Sequence, residues 1–429
     1  MFCQLEVLRH CFPPSVRRIL EELPESLDET YERILREIRK PNQGHAHQLL
    51  QCLVAAVRPL RVEELAEVLA VDFVGEGIPK LNLGWRWEDQ EEAVMSACSS
   101  LVIIVKDGDS RIAQFSHFSV KEFLTANRLT EPIKDVSRYH IRLEAAHTIL
   151  AQACLGVLLR LDDRVDRENI EKFPLAGYAA QYWATHARFE NASSYIKDGM
   201  RCLFDADKPH FAAWLWIYND DYHGGRSMST TCPETPEASP LYYAARLGLR
   251  DLADHLIAEH PEHVNAIGGP EQTPTHVAAS AGHADILSLL LEHGANVDAR
   301  GHNGQTPLHR ASWQEKVEAG RCLLDHGADI NARNNNGLTP LGPAAYKNLE
   351  FTRMLLERGA RINDHDSNGW TSLHWAITNG NLRIIRLLLE HGADVNVRDK
   401  SGTPLSRFGS ARTPEIAELL SKYGAESVD

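Results

Sequence analysis

The chain has 429 residues, room for two to four domains, and its 43% hydrophobic and 24% charged content is that of a folded protein rather than a disordered one. No run approaches the roughly 18 apolar residues needed to span a membrane, and the opening Met1–Glu6 has neither a basic leader nor a long apolar stretch, so no secretory signal is expected. The net charge of −14 divides into −5 over residues 1–130, −3 over 131–235 and −6 over 236–429, leaving no basic stripe for phosphates and disfavouring nucleic acid as a partner.

Eight cysteines (Cys3, Cys11, Cys52, Cys98, Cys154, Cys202, Cys232 and Cys322) lie far apart with no C-x-x-C pair. That pattern predicts reduced, mostly buried thiols in a cytoplasmic setting and no zinc ribbon.

In chain order, the first predicted element is a helix over residues 24–38, its acidic residues early and its basic ones late, as the helix dipole prefers. Residues 46–72 read as two helices broken at Arg58-Pro59-Leu60, and residues 88–100 as a third. Two strand-like runs follow, Leu101–Val105 and Arg111–Phe115, split by the turn Lys106–Ser110. The run His117–Leu124 opens a closing helix. Three helices and a hairpin over 46–130 make a winged-helix pattern. A groove-reading third helix needs donors and positive charge. This one begins Glu88-Asp89-Gln90-Glu91-Glu92, so a protein-contacting role is expected and a DNA-associated regulator is the alternative.

A helical domain is expected over 131–218, with Phe211, Trp214, Trp216 and Tyr218 in its core. Residues 219–238, rich in Gly, Ser, Thr and Pro, read as a linker.

The C-terminal half repeats itself. Ser239-Pro240, Thr273-Pro274, Thr306-Pro307, Thr339-Pro340, Thr371-Ser372 and Thr403-Pro404 recur every 32 to 34 residues. A second marker keeps step: His293-Gly294-Ala295, His326-Gly327-Ala328, Arg358-Gly359-Ala360, His391-Gly392-Ala393 and Tyr423-Gly424-Ala425. Thr is a natural N-cap, and Pro in the first helical position loses no hydrogen bond. Pairs such as Ala278-Ala279 keep the first helix thin, Gly248, Gly282 and Gly380 supply turns, and Ile384–Leu389 carries the apolar stripe of a second helix. Gly392 stands where a left-handed cap is needed, and Asp394–Asp399 reads as a short extended hairpin.

These units resemble ankyrin repeats, from about Ser239 to Ala425. The resemblance implies an ankyrin-repeat solenoid of six units over 239–429, the last a C-terminal cap, so that with the preceding winged-helix and helical platform the chain is expected to be all-α. It also implies that His276, His309 and His374 tie adjacent loops by hydrogen bonds. The fourth unit departs from the pattern: Gly342-Pro343 replaces His and an apolar residue, and one residue is missing at Tyr346-Lys347-Asn348-Leu349. In the third unit Glu315 takes the turn position that prefers Gly. The middle of the array is therefore expected to be its weakest part.

The N-terminal half is similar to the segment that follows the nucleotide-binding NACHT domain in fungal NOD-like receptors with ankyrin repeats. The stretches Leu23–Leu35, Arg58–Leu65 and Phe115–Leu124 carry that likeness, which makes 1–45 a helical remnant following such a domain. No G-x-x-x-x-G-K-[ST] occurs, so no nucleotide is expected. G-x-S-x-G and H-E-x-x-H are also absent. His45 and His47, and likewise His255, His260 and His263, lack metal-ligand spacing and Cys or carboxylate companions. No catalytic, cofactor or metal residue is expected, and no membrane partner.

What remains is recognition of another protein, in a receptor or scaffold of non-self or stress signalling; an accessory module of a hydrolase or NTPase supplied by another chain is a further alternative. In ankyrin proteins the partner meets the hairpin tips and the exposed ends of the first helices. Those positions are His302, Asn303, Gln305, Trp313 and Gln314 in one unit. The next supplies Arg333, Asn335, Asn336, Tyr346 and Lys347. The one after supplies His365, Ser367, Asn368, Trp370, Thr378 and Asn379, with Arg398 at the edge. Trp313, Tyr346 and Trp370 are expected to be exposed, and Trp375 to pack inside.

Overall fold

The computed structural model describes residues 26–425 apart from 74–77, 131–135, 163, 167, 190–191, 223–231, 233–237, 270 and 406–413. The chain forms two compact units, Met1–Pro236 and Glu237–Asp429.

In the first unit, α1 (Leu27–Glu37) is capped by Ser26, whose hydroxyl accepts the Glu29 N–H at 3.2 Å. Its buried Tyr31 reaches Ser119 with Oη and Oγ 2.8 Å apart. The winged helix runs α2 (Gln43–Ala55), β1 (Leu60–Arg61), α3 (Val62–Val68), α4 (Gln90–Cys98), β4 (Val102–Asp107), β5 (Ser110–Phe115) and α5 (Phe118–Thr125). Between α3 and α4, β2 (Val71–Asp72) and β3 (Lys80–Leu81) form a small antiparallel ribbon. The residues that break the first two helices are themselves a strand: Leu60 pairs with Ala113, giving an antiparallel sheet ordered β1-β5-β4. The wing turns at Gly108, whose φ of 59° suits a residue without a Cβ.

Four helices follow: α6 (Leu143–Leu158), α7 (Ala176–Ala187), α8 (Ala192–Leu203) and α9 (His210–Tyr222). Trp183, Phe204, Phe211 and Trp214 are fully buried and mutually packed. Polar links tie these helices to the winged helix. Buried Glu64 accepts two bonds from Arg58, at 2.7 and 2.8 Å, and one from the Arg61 N–H at 2.8 Å. The Arg58 guanidinium lies 4.9 Å from the Tyr178 ring centroid. Burial works against ionisation of Glu64, but Arg58 and the Arg61 N–H outweigh it and hold the carboxyl below the usual range. Tyr178 Oη accepts from the Val57 N–H at 3.1 Å and lies 2.9 Å from Nε2 of buried His186.

In the second unit, the helix pairs are α10/α11 (Pro240–Leu247, Arg250–Glu259), α12/α13 (Pro274–Ala281, Ala284–Glu292), α14/α15 (Pro307–Trp313, Val317–Asp325), α16/α17 (Leu341–Lys347, Leu349–Glu357) and α18/α19 (Ser372–Asn379, Leu382–Glu390). Then comes α20 (Pro414–Lys422). Gly248, Gly282 and Gly380 end first helices with φ of 75°, 88° and 78°. The expected hairpins shrink to isolated bridges, Gly268 with Gln272, His365 with Thr371 and Arg398 with Pro404.

Three hydrogen-bond ladders hold successive units in register. In the first, His276 and His309 bond their own N-cap threonines through Nδ1 and the next loop through Nε2, to Gln305 O at 3.0 Å and Leu338 O at 2.9 Å. In the second, an Asn or Asp at 265, 298, 331 and 363 accepts the backbone N–H of Asn296, Asp329, Arg361 and Asp394 respectively. In the third, the fingertips are tied through backbone: Asn335 N to Asn303 O, Ser367 N to Asn336 O, Lys400 N to Asn368 O.

Candidate functional site

The candidate positions surround the fourth repeat unit. Its Thr339-Pro340 makes no capping box, and its helix starts one residue late at Leu341. The missing turn residue is offset by Asn348, which ends α16 and caps α17 by accepting the Phe351 N–H at 2.8 Å. Gly342 is approached closely by its neighbours: a Cβ there would meet Leu338 Cδ1 at 2.5 Å and Trp375 Cδ1 at 3.5 Å. With Gly and Pro in place of His and a larger side chain, α16 is slim.

Rings from both flanking units meet over it. Trp375 of the fifth unit packs edge-on against Trp313 of the third, with centroids 6.0 Å apart and planes at 87°. It meets Tyr346 of the fourth at 6.0 Å and 89°, and Trp370 at 5.5 Å and 71°. Trp370 also stacks on His374 at 5.9 Å. Edge-to-face geometry at these separations is the favoured one for aromatic quadrupoles. The indole N–H groups of Trp313 and Trp375 are buried and have no hydrogen-bond partner among the described residues, although buried donors are nearly always paired.

This corrects the expected exposure of Trp313, Tyr346 and Trp370. All three are half-buried, as is Trp375, because the slim fourth unit lets four rings close into one cluster. Around them His302, Gln314, Arg333, Asn335, Asn336 and Lys347 are exposed, as are His365, Ser367, Asn368, Asn379 and Arg398. Asn303, Gln305 and Thr378 are half-buried. Several do structural work as well. Arg333 donates to His365 O at 2.5 Å and Arg398 to Gly402 O at 3.2 Å. Asn303 carries a left-handed φ of 57°, and Thr378 donates to His374 O at 2.9 Å.

Two further groups depart from expectation. Glu262 is the carboxylate companion that His260 and His263 were expected to lack. The acidic start of α4 is engaged by the wing: Arg111 binds Glu91 at 2.7 Å and Glu63 at 3.0 Å. Burial lowers the His309 and His374 pKa values to about 4 and that of His186 to about 3, keeping the rings neutral.

Comparison with known proteins matches the ankyrin-repeat family model at residues 241–334 and 329–399. The winged helix domain of GPI inositol-deacylase matches at residues 31–133. The chain therefore carries ankyrin repeats and a winged helix domain of the GPI-inositol-deacylase type. It is 33% identical over 288 residues, 63% of this chain, to "Azaphilone pigments biosynthesis cluster protein L" of Monascus ruber. The chain spans 60% of the length of that relative. It is also similar to the ankyrin repeat domain of Bcl-3, a member of the IkappaB protein family, at 32% identity. That likeness covers 45% of this chain and 89% of that one, with a TM-score of 0.42. No helix among the described residues is long and apolar enough to cross a membrane.

Proposed function

We propose that the chain is a non-enzymatic protein-recognition module of a NOD-like-receptor type signalling protein, with its partner seated on the ankyrin face that carries Trp313, Tyr346, Trp370 and Trp375. The single observation that carries this reading is the four-ring cluster with two unpartnered indole donors. Large amphipathic rings ringed by amides and charges are the composition of interface hot spots. The two indole N–H groups are enclosed within the cluster, so it is the half-buried ring surfaces that a partner would cover. The helical remnant, winged helix, helical domain and linker at 1–45, 46–130, 131–218 and 219–238 serve as the platform in this reading. It operates without nucleotide, in the cytoplasm, where free Cys52, Cys98 and Cys154 would stay reduced.

The engagement of Arg111 by Glu63 and Glu91 speaks against the alternative of a DNA-associated regulator, since this wing cation is already neutralised. The winged-helix match favours, as a second reading, an accessory module for a hydrolase or NTPase on another chain.

The full chain, used as bait, should capture a protein partner whose affinity falls roughly thirtyfold, about 2 kcal/mol, in Trp313→Ala and in Trp370→Ala. Circular dichroism should show both variants folded. Unchanged affinity in both, or unfolding of both, removes the ankyrin face as the site.

A further inference from the structure

A second cluster lies outside the aromatic face. After α11 the chain makes one tight 3-10 turn, Pro261–Asn265. The turn is fixed by the His263 N–H donating to His260 O at 3.0 Å and the Ala266 N–H to His263 O at 3.1 Å. It brings three donors together. His260 Nδ1 lies 3.2 Å and His263 Nε2 4.0 Å from the same Glu262 oxygen. The imidazoles stack with centroids 5.1 Å apart and planes 28° from parallel. One nitrogen from each ring and one carboxylate oxygen all fall within 4.8 Å of one another.

We propose that His260, Glu262 and His263 form a binding site for a borderline divalent transition ion, of which Zn²⁺ is the type. Ligand bonds of about 2.1 Å in tetrahedral geometry place donor atoms about 3.4 Å apart. The observed 3.2 and 4.0 Å between each histidine and Glu262 bracket that edge, and the whole set lies within 4.8 Å. Two imidazoles with one carboxylate suit Zn²⁺, Ni²⁺ and Cu²⁺, whereas Mg²⁺ and Ca²⁺ prefer all-oxygen shells. The histidines are half-buried and Glu262 is exposed, so a fourth position stays open to water or to an outside ligand. An ion pair between Glu262 and a protonated histidine is the competing account. That account needs a proton on an imidazole, whereas a metal ion takes the lone pair of each neutral ring.

Calorimetric titration of the full chain with ZnCl₂ near pH 7.5 should show a micromolar site that MgCl₂ does not fill. His260→Gln and His263→Gln should each weaken it by about tenfold or more, with unchanged circular dichroism. His391→Gln serves as the control: its Nδ1 lies 2.8 Å from Leu387 O, in a different unit, and the substitution should leave the affinity as it was. If the wild type takes up no Zn²⁺ at micromolar concentration, or both glutamine variants bind as it does, the site does not exist.

Discussion

At the scale of single residues, two features carry measurable energy. Glu315 has a left-handed φ of 59° at the turn between α14 and α15, where Gly248, Gly282 and Gly380 stand in other units. A side chain there costs about 1–2 kcal/mol of backbone strain, less the about 0.5–1 kcal/mol of unfolded-state entropy that glycine adds. Glu315→Gly should therefore stabilise the array by about 0.5–1 kcal/mol, read as a higher denaturant midpoint with an unchanged slope.

The second feature is the histidine ladder. Unfolded, His309 and His374 take up a proton near pH 6.5; folded, burial delays this to about pH 4. Burial likewise holds His276 below its usual value. Between those limits the unfolded chain binds more protons. Stability is thus complete above about pH 6.5 and falls as the pH drops toward about 4, by up to about 1.4 kcal/mol per pH unit for each histidine. Urea midpoints measured at about pH 7, 6 and 5 should decline along that course, and His309→Gln should shallow the decline. A wild-type midpoint that does not move over this range would contradict it.

At the scale of elements, the fourth ankyrin unit holds two opposing tendencies. It lacks the capping box of both neighbours and the loop tie that His309 makes. It gains Asn348 as a cap and the Ser312 hydroxyl donating to Pro340 O at 2.7 Å. Stability in a repeat array is close to a sum of unit and neighbour terms. One helix with internal Gly and Pro and no box weighs more than one added cap of about 1 kcal/mol. Amides of residues 341–357 should exchange before those of 307–325 and 372–390 in native-state hydrogen exchange. Slowest exchange in 341–357 would reverse that balance. The same slimness that weakens α16 admits Trp375, so weakness and ring cluster share one cause.

At the scale of the whole molecule, acidic charge extends over both units, while the polar links differ in kind. In the first unit they are individual pairs that do not recur, the buried ones centred on Glu64 and Glu67. Glu67 accepts the Leu175 N–H at 2.7 Å and is salt-bridged to Arg86. In the second they are many, and each is repeated from unit to unit. Short-range repetition gives a solenoid its register without any long-range pairing. A winged helix must close strands from distant parts of the chain, as Leu60 does with Ala113.

Period, caps and turn glycines are local properties, so the repeat boundaries, the left-handed strain at Glu315 and the helices and wing of the first unit were legible in the sequence by itself. The strand at Leu60-Arg61 was not: two residues have no periodicity, and only Ala113 and Ile112 opposite make them a strand. Neither was the aromatic cluster. Trp313 and Trp375 lie two units apart in sequence, and their 6.0 Å approach depends on how little volume α16 places between them. Glu262, by contrast, stands directly before His263 in the sequence and was overlooked there; the local 3-10 turn places it beside both histidines. Side-chain volume and through-space distance are decided by packing, which is why tertiary structure alone supplied the aromatic cluster.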